Sequence, residues 1–133
     1  MKKVIVVEDD PIIGKVYRFH LEKAGYQVRV ATDGEAGWNA IQEDVPDAVL
    51  LDLMMPRMNG NEVLRQMRAT PTLQHIPVVV FTNAFIPAMV EEAKKAGANQ
   101  VFDKATVTPF MILGALKIYL ADPAEPSGEA KPA

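Results

Sequence analysis

The chain has 133 residues, 49% of them hydrophobic and 23% charged, which is enough for one domain with a real core. A formal net charge of −3 leaves no electrostatic footprint for nucleic acid, and the lack of cysteine excludes disulfides and thiolate metal sites. The longest apolar stretch, 109–121, is too short to span a bilayer and contains Lys117. The opening "MKKVIVVEDD" turns acidic too soon for a signal peptide, so a cytoplasmic chain without membrane contact is expected.

Strands and helices alternate five times along the chain. Residues 3–8, "KVIVVE", form a continuous apolar run suited to a strand covered on both faces. Asp10-Pro11 supplies an N-cap and a first-turn proline for a helix running to about Gly25. In "YQVRVA" (26–31), Gln27 and Arg29 alternate with Val28 and Val30, the pattern of a half-exposed strand. Asp33 opens a second helix that reaches roughly Glu43.

The third strand is "DAVLLD" (47–52), and a loop follows it. Asn59 to Glu62 then reads as a capping box, with Met58 and Val63 placed as a hydrophobic staple for a helix ending near Thr70-Pro71. "IPVVVFT" (76–82) is a fourth strand, followed by a helix from about Ala84 to Ala96 that stops at Gly97. "NQVFDK" (99–104) is a short fifth strand, after which Thr108-Pro109 caps a last helix ending near Ala121. Residues 1–121 form the expected domain. Residues 122–133, rich in proline, alanine and charge, are expected to be a disordered tail or linker.

Strict alternation with short loops argues for a parallel sheet with helices on both faces. The first, third and fourth strands are all apolar and belong in its centre, and the second and fifth read as edges. Order 2-1-3-4-5 is consistent with this pattern. Asp52 poses the sharpest question, because it ends one apolar run (Ala48 to Leu51) and another (Leu53 to Met55) follows at once. An unpaired carboxylate there would cost several kcal/mol or shift its pKa upward.

All strand carboxyl ends of such a sheet share one edge, where ligands bind. Glu8, Asp9, Asp52, Thr82 and Lys104 arrive there: three carboxylates, a hydroxyl and one ammonium. A divalent cation would cancel the excess negative charge, and an all-oxygen ligand set suits Mg²⁺. A carboxylate backed by a cation, a lysine and a hydroxyl is equipped to accept a phosphoryl group.

With "VVEDD", "LLDLMMPRMNG", "VVVFTNA" and "FDKA" in order at strand ends, the chain closely resembles the receiver domain of bacterial two-component response regulators over residues 1–121. That resemblance implies a flavodoxin-like receiver fold and a His-to-Asp phosphorelay role, with Asp52 as phosphoacceptor. It implies Mg²⁺ or a substituting Mn²⁺ held by Glu8, Asp9, Asp52 and the backbone carbonyl of Met54. Thr82 and Lys104 would contact the phosphoryl group and relay its presence. The expected partners are a sensor histidine kinase or phosphotransfer protein and an unidentified protein target. Only self-phosphorylation and self-dephosphorylation chemistry is implied, not a separate enzyme activity. The same resemblance implies that the positions two after Asp52 and two after Thr82 tune hydrolysis; Met54 and Ala84 stand there, and neither can orient a water.

The chain departs from the family pattern at Ala105, where proline usually follows the lysine, so the fifth loop need not keep the cis peptide often seen there. Val101 replaces the aromatic switch residue of many members, and Phe102 beside it points to the opposite face. Asn83 follows Thr82 where a smaller residue is common. A degenerate receiver that only docks proteins is the alternative reading. An FMN carrier is disfavoured because Glu8-Asp9-Asp10 would repel a phosphate. A haloacid-dehalogenase-type phosphatase is disfavoured because Met54 stands where its second aspartate would be.

Along the last helix, Phe110, Leu113, Leu116 and Leu120 are expected to cover the sheet. Met111, Ala115 and Ile118, flanked by Ile112 and Tyr119, are left as an apolar row. Met111, Ile118 and Tyr119 are accordingly expected to meet a partner or a second copy of the chain. His20 and His75 read as ordinary helix and loop residues, and Met54, Met55, Met58 and Met67 as packing rather than a soft-metal site.

Overall fold

The structure, a computed structural model, describes residues 1–83 and 85–120. The tail expected at 122–133 lies outside them, as does Ala84. Strand β1 (Lys3–Val7) leads into α1 (Pro11–Lys23), then β2 (Gln27–Ala31), α2 (Gly34–Glu43) and β3 (Ala48–Leu51). After these come α3 (Gly60–Ala69), β4 (Val78–Thr82), α4 (Pro87–Lys95), β5 (Gln100–Asp103) and α5 (Pro109–Tyr119). The five strands form one parallel sheet in the order β2-β1-β3-β4-β5.

Burial follows that order. Every residue of β3 and β4 is buried, whereas β2 alternates and β5 is half-buried along its length, as edge strands should be. Alternate strand residues feed two cores. Ile5, Val7, Val49, Leu51, Val78 and Val80 pack with side chains of α2, α3 and α4 on one face. Val4, Val6, Leu50, Val79 and Phe81 pack with those of α1 and α5 on the other.

Local chemistry accounts for the helix starts. Asp10 accepts from Ile12 N at 2.9 Å, Asp33 from Ala36 N at 2.8 Å and Asn59 from Glu62 N at 3.0 Å, each filling an orphan donor of a first turn. Helix α4 is the exception. It begins three residues later than the sequence suggested, at Pro87, because the residue before a proline is pushed out of the helical region, and Ile86 is extended (φ −115°). Ile86 provides no side-chain cap, and Ala93 is the buried residue of this nine-residue helix. Strand β4 likewise starts at Val78, after Pro77, which has no amide to give a neighbouring strand.

In the last helix Leu113, Leu116 and Leu120 pack against the core as expected, but the centre of the buried face is shifted and Phe110 lies outside it. Ile112, Ala115 and Leu116 are its buried residues, and Tyr119 packs partly beside them, the i, i+3, i+4, i+7 spacing of one face. At about 100° per residue, Phe110 falls nearly half a turn from the centre of that face, and it is 84% exposed. Tyr119 also leaves the expected outer row, because its hydroxyl donates to Asn99 O at 2.9 Å. The exposed apolar row is therefore Phe110, Met111 and Ile118.

Arg68 ties the amino-terminal edge of the sheet together. Its guanidinium donates to the carbonyls of Gly97, Gln74 and Ile76 and to Asn99 Oδ1 at 2.8–3.1 Å. At the opposite edge, Gly60 allows α3 to start directly against the end of β3. A Cβ there would sit 2.3 Å from Asp52 O and 2.8 Å from Leu53 Cα. Gly60→Ala should therefore cost about 2 kcal/mol or more in denaturant unfolding, since backbone rather than a flexible side chain must yield. A stability within about 0.5 kcal/mol of wild type would show that the loop can yield without cost.

Candidate functional site

The parallel register sets the residues beyond the strand ends at one level. Val7 faces Leu51, Leu51 faces Val80, and Thr82 faces Asp103, so Glu8, Asp52 and Lys104 follow their strands to the same edge. Backbone bonds hold each in place: Glu8 N to Ala31 O at 2.9 Å, Asp52 N to Val7 O at 3.0 Å, and Lys104 N to Thr82 O at 3.0 Å. Glu8, Asp52 and Thr82 are all buried, at 1%, 2% and 0% exposure, whereas Asp9 is exposed.

The Lys104 ammonium lies between two of the carboxylates, 2.6 Å from Glu8 Oε1 and 3.1 Å from Asp52 Oδ2. Glu8 Oε2 accepts from Asp10 N at 3.0 Å, and Asp52 Oδ1 accepts a long bond from Met54 N at 3.4 Å. The contact of Lys104 with Glu8 Oε1 is close but off hydrogen-bond geometry, so that buried oxygen has no hydrogen-bond partner. One lysine thus offsets two buried carboxylates, with Asp9 adding a third negative charge nearby.

The electrostatics reflect that imbalance. Burial pushes the Glu8 carboxyl up to about 6; Lys104 and the Asp10 amide pull it back and the Asp52 charge adds to the rise. Asp52 is also raised, first by burial and further by Asp9, against the opposing pull of Lys104 and the Met54 amide. For Lys104 burial alone works downward, but the two carboxylates outweigh it and the ammonium is held above its ordinary value.

One oxygen from each of Glu8, Asp9 and Asp52 lies within 4.8 Å of the others. That separation, the all-oxygen donor set and the excess of negative charge over the single Lys104 ammonium fit a hard divalent cation such as Mg²⁺. Residues 4–112 match the family model described as the response regulator receiver domain. The chain belongs to that family.

Among relatives of this receiver is "Response regulator MprA" of Mycolicibacterium vanbaalenii, 42% identical over 80 residues, which is 60% of this chain and 34% of that protein. The chain spans about a third of the length of the curated relatives it matches. The chemotaxis response regulator CheY4 of Vibrio cholerae superposes with a TM-score of 0.83 at 29% identity, covering 90% of this chain and 99% of that one. The Mn²⁺-bound form of response regulator Rcp1 superposes with a TM-score of 0.80 at 25% identity, covering 91% and 96%. No helix among the described residues is long and apolar enough to cross a membrane.

The receiver's other sequence-derived positions divide between the two cores. Val101 packs into the α2–α3–α4 core and Phe102 into the opposite one. Asn83 is exposed next to Thr82, and among the described residues no peptide bond is cis, the one after Lys104 included. Sequence reasoning missed two features. Phe81 adjoins Lys104 and Tyr17 packs on Phe81, and strand alternation, which turns Phe81 away from Thr82 toward α1, was the available signal. Arg57, at φ 71°, donates to Asp33 at 2.9 Å and so joins the loop after β3 to the start of α2; no sequence signal paired them.

Glu8 gives a pH test with a definite sign. Its folded value of about 6 lies above the ordinary 4.5, so the fold favours the protonated form. This stabilisation is complete below the lower value and is lost as pH rises through the upper one. Relative to Glu8→Gln, the wild type should lose on the order of 1–2 kcal/mol of unfolding free energy between about pH 4 and 7, and added Mg²⁺ should shrink the loss. A wild type that instead gains on the variant over this range would contradict the assignment.

Proposed function

We propose that this receiver accepts a phosphoryl group on Asp52 from a phosphohistidine of a sensor kinase or phosphotransfer protein and thereby changes its affinity for a protein target. The observation that carries this reading is the buried cluster of Glu8 and Asp52 around Lys104, with Asp9 within ligand distance. An Asp52 carboxylate oxygen attacks the phosphorus, the P–N bond breaks, and the electron pair leaves with the donor imidazole, which retains a proton. Lys104 exchanges its ion pair with Asp52 for one with a phosphoryl oxygen, and the Thr82 hydroxyl donates to another. A divalent cation held by Glu8, Asp9, Asp52 and the Met54 carbonyl would neutralise charge on the transferring group.

Support also comes from what the site could not otherwise sustain. Glu8 and Asp52 are desolvated by burial, and a single ammonium cannot neutralise both together with Asp9. A phosphodonor would meet net repulsion there unless a cation were bound. Asp52→Asn should abolish phosphoryl uptake from a small-molecule donor with Mg²⁺, read as intact mass. Uptake at the wild-type rate would sink the assignment. Replacing Glu8 and Asp9 together by alanine should weaken Mg²⁺ affinity about tenfold or more while raising stability without metal. Unchanged affinity would place the ion elsewhere.

The output reading rests on α5. Met111 and Ile118 are exposed together with Phe110, and we assign them to the surface that meets the target or a second copy of the chain. Val101, in place of an aromatic, makes docking there depend on packing rather than on a swinging ring. Met111→Glu with Ile118→Glu should reduce target binding or self-association at least about tenfold in sedimentation of the phosphorylated protein. Unchanged association would make the row ordinary surface.

A further inference from the structure

The Lys104 ammonium has a third neighbour besides the two carboxylates. It lies over the face of the Phe81 ring, 5.0 Å from the centroid. Phe81 is fully buried on β4, and the Tyr17 ring from α1 packs nearly perpendicular to it, with centroids 5.1 Å apart and planes at 79°. An aromatic face attracts a cation through its quadrupole, and more strongly where both are out of water. The side chain of Lys104 is only 8% exposed.

The same lysine borders an open space. A cavity of about 230 Å³ between the start of α1 and the segment leading into α5 is lined by Ile12, Ile13, Val16, Tyr17, Lys104 and Val107, with Pro109. A long, flexible side chain at such a wall can leave its site for the cavity. Once Asp52 carries a phosphoryl group, the ion pair at Asp52 Oδ2 must be remade at a new oxygen. The Phe81 ring is a partner that the reaction does not alter.

We propose that Phe81, with its plane set by Tyr17, is a positioning residue that keeps the Lys104 ammonium at the carboxylate site and out of the adjoining cavity. The role rests on the phosphoacceptor reading above, but the juxtaposition of ring, ammonium and cavity stands apart from it. Thr82, on the same strand, faces the other side of the sheet, and the ring's contact with the site is made to the Lys104 ammonium. A leucine at 81 would fill similar apolar volume without a quadrupole. A tyrosine there would keep the face.

The test combines kinetics with side-chain order. Phe81→Leu should slow Mg²⁺-dependent phosphorylation of Asp52 by acetyl phosphate about three- to tenfold, and Phe81→Tyr should restore most of the rate. In a Lys104→Ala background, Phe81→Leu should produce no further slowing beyond about twofold. Equal slowing in both backgrounds would overturn the proposal, because the ring would then be a packing residue only. Side-chain NMR relaxation of the Lys104 Cε methylene in the unphosphorylated protein gives a readout that needs neither phosphorylation nor the Lys104→Ala variant. Phe81→Leu and Tyr17→Ala should lower its order parameter and Tyr17→Phe should not. An order parameter unchanged by Phe81→Leu would also overturn the proposal. Should the wild type take up no phosphoryl group, the functional reading fails while the relaxation data still decide the role of the ring.

Discussion

A single ammonium shared by two buried carboxylates is the interaction on which the site depends. Lys104 reaches Glu8 and Asp52 only because β5 ends level with β1 and β3, and that level is set by an unbroken parallel ladder across the sheet. Taking the ammonium away would leave two buried carboxylates without their shared counter-charge, a far larger penalty than an exposed ion pair ever offsets, whereas losing one carboxylate leaves the other still paired with Lys104. The apolar strands supply the rigidity that makes such a cluster tolerable. Leu50, Leu51, Val79 and Val80 are completely buried and give the sheet edge little room to relax.

The loop that carries Asp52 onward is held from several directions. Gly60 starts α3 against the Asp52 carbonyl, and Gly60 N donates to Leu53 O at 2.9 Å. Arg57 reaches across to Asp33, whose other oxygen already caps α2. Asp33 thus joins a helix start to the loop with one side chain. The left-handed backbone of Arg57 costs on the order of 1 kcal/mol, which the charged bond to a mostly buried Asp33 helps to offset.

Much of this was legible in the residues themselves. Continuous apolar runs identified the three central strands, alternation identified β2 as an edge, and Asp10, Asp33, Asn59 and Thr108 announced four helix starts that the structure caps with those side chains. The cluster of Glu8, Asp52 and Lys104 was legible because strand ends in a parallel sheet share an edge. What escaped was set by tertiary phase. The buried face of α5 depends on how the helix is delivered from β5, and counting hydrophobic residues in so apolar a helix does not choose among its faces. Phe110 was consequently assigned inward and lies outward. Arg57 with Asp33 is a pairing between distant segments that no local pattern encodes, and strand alternation gives the face of Phe81 but not its partner Tyr17.

Helix α4 is fastened unequally at its two ends. Its last turn leads into Gly97, whose carbonyl takes two bonds from Arg68, while its first residue follows an uncapped Ile86. With Ala93 as its buried side chain, little apolar area is lost when the helix lifts. Amide exchange should therefore run along α4 as a gradient, fast beside the end of β4 and slow toward Gly97.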